Sequence, residues 1–129
     1  MPNGAAPIKV FLADDSELIC DRVAAMLTDA GMRIVGRAES PQACFNGILQ
    51  SRPDVVVLDV QLDGGAGLEV LRTVRLAAPE VAFVVFSNNS GPAYRRRYLA
   101  EGAHQFVDKS TQLEQLAPAV AKACGHVTH

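Results

Sequence analysis

Neither sign of charge dominates: twelve Lys and Arg stand against fourteen Asp and Glu in 129 residues, a formal net charge of -2. With no global positive field, nucleic acid is disfavoured as the main partner. Cysteine is scarce, and Cys20, Cys44 and Cys124 form no C-x-x-C pair. An odd, unpatterned set points to reduced thiols in a cytoplasmic protein rather than a disulfide framework. His104, His126 and His129 share no metal-ligand spacing with a cysteine, which argues against a zinc site. No apolar run approaches a membrane span, and Met1 to Pro7 lacks the basic and apolar regions of a signal peptide. That start reads as a loose arm over 1–7. What remains is an ordinary globular composition, 49% hydrophobic and 20% charged, of single-domain size.

Apolar runs of strand length alternate with segments of helical period. Ile8 to Ala13 precedes a helix over Ser16 to Ala30, in which Ile19, Val23, Met26, Leu27 and Ala30 recur at spacings of three and four. Gly31 ends it. Ile34 to Ala38 is a second strand, and Ser40-Pro41 opens a second helix with Ile48 and Leu49 on its buried side. The third strand, Val55 to Asp59, follows the Arg52-Pro53-Asp54 break. Leu68, Leu71, Val74 and Ala78 mark a third helix, Val81 to Ser87 a fourth strand, and Gly91-Pro92 the start of a fourth helix ended by Gly102. Gln105 to Asp108 is the fifth strand, and Leu113, Leu116, Val120 and Cys124 face inward from the last helix, before a short tail over 125–129. Five such units in one domain imply an α/β fold with a parallel sheet covered by helices on both faces.

In that architecture ligands bind beyond the carboxyl ends of the strands. Those ends carry Asp14 and Asp15, then Asp59, Ser87 and Lys109. Three converging carboxylates repel one another unless a cation or a reaction occupies the site. A phosphoryl group suits the set: Asp59 is a candidate nucleophile, and Asp15 and Asp59, with Asp14 through water, are candidate ligands for Mg²⁺. Lys109 would offer a point charge and Ser87 a hydroxyl to the phosphoryl oxygens. Taken singly, Asp14 or Asp15 reads as a helix cap, Lys109 as a solvated lysine and Ser87 as a turn residue. Their shared position at the strand ends weakens those readings.

Five segments carry a resemblance: Phe11-Leu12-Ala13-Asp14-Asp15-Ser16, Val55 to Leu62, Gly64 to Leu71, Phe86-Ser87-Asn88-Asn89 and Phe106-Val107-Asp108-Lys109. In type and order they resemble the signature segments of response-regulator receiver domains of two-component signalling, over Ile8 to about Cys124. The resemblance implies a flavodoxin-like (βα)5 doubly wound sandwich of strand order 2-1-3-4-5. It implies that Asp59 accepts a phosphoryl group from a phosphohistidine of a histidine kinase or phosphotransfer protein, with Mg²⁺ on Asp15, Asp59 and the backbone carbonyl of Gln61. Ser87 would then move toward the phosphoryl oxygens and Phe106 turn inward, changing the surface of helix four, strand five and helix five for a downstream protein target or a second copy of the chain.

The chain departs from the family pattern at three places. Ser110 follows Lys109 where proline is common, so that peptide is either trans or a strained cis bond. Phe106 lacks the hydroxyl of a tyrosine and reads either as plain core or as a mobile switch. Asp63 adds a fourth carboxylate where the family often has proline. Arg95, Arg96, Arg97 and Tyr98 are a candidate partner surface, with a solvated helix face as the plainer alternative. With only Gly125 to His129 beyond the last helix, a stand-alone single-domain regulator is expected. The competing function is a Mg²⁺-dependent phosphatase working through an aspartyl phosphate, but such enzymes usually place a second Asp where this chain has Gln61, leaving no evident general acid.

Overall fold

In the computed structural model, which describes residues 6–62, 66–88 and 91–127, five strands form one parallel sheet of order β2-β1-β3-β4-β5. The strands are β1 (Lys9–Ala13), β2 (Arg33–Ala38), β3 (Val55–Leu58), β4 (Ala82–Ser87) and β5 (Gln105–Asp108). Between and after them run α1 (Glu17–Asp29), α2 (Pro41–Ser51), α3 (Gly67–Ala77), α4 (Pro92–Ala100) and α5 (Leu116–Val127), the last preceded by a 3₁₀ turn over Leu113–Gln115. The doubly covered parallel sheet is the one the sequence pattern predicts, and its order is that of the flavodoxin-like fold implied by the family resemblance. Among the described residues no helix is long and apolar enough to cross a membrane.

Strand alternation divides the core into two layers. Phe11, Ala13, Val56, Leu58, Phe83, Val85 and Phe106 face a layer shared with α2, α3 and α4. Val10, Leu12, Val55, Val57, Ala82, Val84, Phe86 and Val107 face the layer of α1 and α5. Every residue of β3 and β4 is buried, as central parallel strands require when helices cover both faces. The chain crosses from one layer to the other between β2 and β3, so the order reverses beside β1 and opens a crevice at the ends of β1 and β3.

Local chemistry starts and stops the helices near the expected positions. The Ser16 hydroxyl accepts from the Ile19 amide and the Ser40 hydroxyl from the Ala43 amide, capping α1 and α2. Pro41 and Pro92 sit in first turns. Arg52 closes α2 in the left-handed region at φ 49°.

The helix faces differ in detail from expectation. Leu49, expected on the buried side of α2, is 39% exposed, and Cys44 and Ile48 are the buried residues. They lie four apart, whereas Leu49 is turned about 100° from Ile48 and clears the core. On α3, Val70 joins Leu71 and Val74 inside, while Leu68 is only partly covered. On α5, Ala119 and Ala123 are buried along with Leu116 and Val120, and the helix continues to Val127 rather than ending before a tail at 125. Asp63, Gly64, Gly65 and Asn89 lie outside the described residues, as does most of the arm.

Gly67 opens α3 against the turn that leaves β3. A Cβ there would lie 2.8 Å from the Asp59 carbonyl oxygen and 2.9 Å from the Val60 Cα, both backbone atoms that cannot swing aside. A Cβ at Gly91 would meet nothing within 4 Å. Gly67→Ala is therefore expected to cost about 1–3 kcal/mol through overpacking, and Gly91→Ala to stay within about 0.5 kcal/mol of wild type. Urea titrations of the two variants check this; equal midpoints would refute the close approach.

Candidate functional site

The site forms because parallel pairing continues past the last residues of two strands. Ala13 of β1 lies opposite Leu58 of β3, and the Asp59 amide donates to the Ala13 carbonyl at 2.9 Å. Asp14 and Asp59 therefore leave the sheet side by side. On the outer side the Asp14 amide donates to the Ala38 carbonyl at 3.2 Å, which holds the end of β1 against β2. Asp14 and Asp59 are buried and Asp15 is exposed, yet one carboxylate oxygen from each lies within 4.8 Å of the others.

The fifth strand end brings the counter-charge. The Lys109 ammonium lies 2.7 Å from Asp14 Oδ2 and 3.1 Å from Asp59 Oδ2, and all three side chains are less than a tenth exposed. It also stands 5.5 Å from the centroid of the Phe86 ring. The remaining carboxylate oxygens are engaged: Asp14 Oδ1 accepts from the Ser16 amide at 2.9 Å and Asp59 Oδ1 from the Gln61 amide at 3.1 Å. Ser87, at the end of β4, is fully buried, and its carbonyl accepts from the Lys109 amide at 2.9 Å. The five residues expected at the site, Asp14, Asp15, Asp59, Ser87 and Lys109, are thus gathered at one sheet edge.

Electrostatics follow from this crowding. Burial pushes the Asp59 carboxyl above its ordinary range, and the Asp14 charge adds to that; the Gln61 amide and Lys109 offset only part of the rise. Burial alone would pull the Lys109 ammonium down, but the bonds and charges of Asp14 and Asp59 outweigh it and hold it above the usual lysine value. One ammonium faces three carboxylates, so the site is short of positive charge. Hard carboxylate oxygens converging on a space next to solvent fit Mg²⁺, which takes few carboxylates and keeps several waters. Asp15 and Asp59 are the residues best disposed to hold it, because Asp14 is committed to Lys109 and Ser16.

Other expected residues fall differently. The Phe106 ring is already inward, 5% exposed, in the layer that also holds Tyr98, and the Arg95 guanidinium lies 5.1 Å from its centroid. Tyr98 must be removed from the candidate partner surface. It is 4% exposed and is the buried residue of α4, set in the same apolar layer as Phe106. Tyr94, stacked on Tyr98 with centroids 6.3 Å apart, is the exposed tyrosine. Arg96 and Arg97 are exposed and Arg95 is half-buried. Gln61 lies exposed on the turn after β3.

Sequence reasoning missed the loop after Lys109. The Lys109-Ser110 peptide is trans, since the described residues contain no cis bond. Asp108 Oδ1 accepts from the Ser110 amide at 2.8 Å, the Ser110 hydroxyl at 2.7 Å and the Thr111 amide at 3.2 Å. The signal was present as an Asp followed two and three residues later by Ser and Thr, a common self-capping turn.

Comparison with known proteins agrees with this geometry. The chain matches the response regulator receiver domain over residues 10–121. It is 31% identical over 114 residues to the response regulator GacA of Pseudomonas aeruginosa, covering 88% of this chain and 53% of that protein. It is also 31% identical over 114 residues to the DNA-binding transcriptional activator DevR/DosR of Mycobacterium tuberculosis, covering 88% and 52%. The chain spans about half the length of these curated relatives. Among solved structures, the signal receiver domain of the putative response regulator NarL from Mycobacterium tuberculosis superposes with a TM-score of 0.86 at 25% identity, covering 94% of this chain and 98% of that one. A LuxR-family two-component response regulator from Aurantimonas sp. SI85-9A1 shares the fold with a TM-score of 0.88 at 22% identity, over 93% and 86% of the two chains. With the acidic crevice, the buried lysine and a match along nearly its whole length, the chain belongs to the response regulator receiver domain family.

Proposed function

We propose that this domain is a phosphorylation switch in which Asp59 accepts a phosphoryl group from a phosphohistidine of a histidine kinase or phosphotransfer protein. The observation that carries the reading is the Lys109 ammonium bridging Asp14 and Asp59 at the rim of a crevice short of positive charge. Asp59 Oδ2 attacks phosphorus in line with the scissile bond. A P–O bond forms, the P–N bond breaks, and its electron pair returns to the imidazole nitrogen. Mg²⁺ held by Asp15, Asp59 and the Gln61 carbonyl, with Asp14 through water, would supply positive charge opposite the phosphoryl oxygens. Lys109 then transfers its ammonium from carboxylate to phosphoryl oxygen, and the Ser87 hydroxyl donates to another.

Ser87 and Lys109 are joined through the backbone, so a change at either is transmitted to the ends of both β4 and β5. Phe106 sits three residues before Lys109 and packs beneath Arg95 of α4, which links the site to the α4, β5 and α5 surface. Arg96 and Arg97 provide the exposed charge there for a downstream protein or a second copy. The free cysteines suit a reducing, cytoplasmic setting.

Incubation with acetyl phosphate and Mg²⁺ should add one phosphoryl group per chain by intact mass, and Asp59→Asn should take up none. An adduct that persists in that variant would move the acceptor elsewhere. Lys109→Ala, with Mg²⁺ present, should remain folded and still be phosphorylated, while the amide chemical-shift changes in α4 and β5 on phosphorylation fall to under about a third of wild type. Full-sized shifts would remove Lys109 from the coupling.

A pH dependence follows from Asp59. Its folded pKa is raised, so the native state binds a proton more readily than the unfolded chain, and the destabilisation from its charge grows as pH rises from the ordinary carboxylate range through the raised value. In metal-free buffer at pH 7, Asp59→Asn should therefore melt about 2–5 °C above wild type, and the gap should close as pH falls toward about 4. Thermal melts across that range check the sign. A variant less stable than wild type at pH 7 would mean that the Lys109 pair outweighs burial.

A further inference from the structure

We propose that Asp108 is a positioning residue that sets the place of Lys109 in this domain, doing through a carboxylate-capped turn what no proline does here; the proposal rests on the phosphorylation reading above. Lys109 must hold its ammonium between Asp14 and Asp59 while its backbone leaves β5 and turns toward α5. A flexible four-carbon side chain acts as a defined point charge only if its root is fixed. The root is fixed on one side by the Lys109 amide on the Ser87 carbonyl at 2.9 Å. On the other side, the chain immediately after it is gathered onto one oxygen. Asp108 Oδ1 takes the Ser110 amide, the Ser110 hydroxyl and the Thr111 amide at 2.8, 2.7 and 3.2 Å.

The same residue is clamped through its backbone. The Asp108 amide donates to Gln112 Oε1 at 3.0 Å, and the Gln112 amide donates to the Asp108 carbonyl at 2.9 Å. Lys109 is thus enclosed by a closed ring of hydrogen bonds running from 108 to 112, with every peptide trans. Three donors converging on one carboxylate oxygen hold the chain after Lys109 in this turn, since a carboxylate is a stronger acceptor than a neutral group. Asp108 acts through the lysine beside it.

The test uses Asp108→Ala and Asp108→Asn, since Asn keeps an Oδ1 acceptor for the same donors. Two readouts separate this role from simple support of the fold. The first is the rate of phosphoryl uptake from saturating acetyl phosphate with Mg²⁺, followed by intact mass. Asp108→Ala should be slowed about tenfold, as expected when a charged group is displaced by a fraction of an ångström to one ångström, and Asp108→Asn should stay within about twofold. The second needs no phosphorylation: brief amine acetylation, read by peptide mass spectrometry, with Lys9 and Lys122 as internal controls. Lys109 should be protected in wild type and in Asp108→Asn, and selectively labelled in Asp108→Ala.

Uniform labelling of all three lysines, or a Lys109 that stays protected in Asp108→Ala, would overturn the positioning role. So would Asp108→Asn behaving like Asp108→Ala. Wild type taking up no phosphoryl group would defeat the phosphorylation reading alone, and the labelling experiment would still decide the role of Asp108.

Discussion

The buried ion pair of Lys109 with Asp14 and Asp59 is the constraint around which the rest of this molecule is arranged. Two carboxylates at the ends of adjacent strands, both almost fully covered, would repel across a medium of low dielectric if left alone. Lys109 reaches both at 2.7 and 3.1 Å and makes the arrangement tolerable. Removing the lysine from such a buried cluster typically costs about 3–5 kcal/mol, because the two carboxylates left behind stay desolvated and unpaired. The pair is also incomplete by construction, since Asp15 adds a third carboxylate from the solvent side. A site that is stable enough to fold yet still short of positive charge suits capture of a cation and an oxyanion together.

The sheet makes that compromise possible. Side chains of β3 and β4 are apolar on both faces, so the sheet interior accepts no charge, and polar residues are confined to the strand ends. Alternation then decides what each end can sense. Phe106 enters the layer of α2, α3 and α4, Val107 enters the layer of α1 and α5, and Lys109 emerges at the edge between them. The nine-residue α4 is anchored by one buried residue, Tyr98, and by Arg95 over Phe106. Few buried side chains fasten this helix to the sheet, the condition under which a segment opens most readily.

The strands, their order of appearance and the residues at their ends were legible because a doubly covered strand can only be an unbroken apolar run, and a polar residue after it must mark an end. Gly31, Ser40-Pro41 and Gly102 were legible because they do local work that needs no tertiary context. The faces of the short helices were not. On α2, Ile48 and Leu49 are both apolar neighbours, and only packing against Cys44 selects the phase. On α4, a run of three arginines hides the fact that the next residue, Tyr98, points inward. The turn after Lys109, which the sequence leaves open between trans and cis, is trans. What holds it is a set of bonds from Ser110 and Thr111 to the Asp108 carboxylate, and these depend on a side-chain rotamer that no motif spells out.

That turn bears on how the site could change state. In the structure Asp59 Oδ2, the oxygen proposed to attack phosphorus, is also the one bound by Lys109. Phosphorylation would replace a carboxylate with a group of about −1.5 to −2 charge, so the ammonium has more to gain at the phosphoryl oxygens than at the ester it leaves. Asp14, still paired at 2.7 Å, opposes a large excursion. The capped turn would oppose it too, through the backbone. On the proposed reading, a lysine held at its root and drawn at its tip would transmit force rather than absorb it, and the Lys109 amide would hand that force to the Ser87 carbonyl. The strand ends of β4 and β5, and through Phe106 the base of α4, would then be the parts of the fold with the least freedom to ignore a change at Asp59.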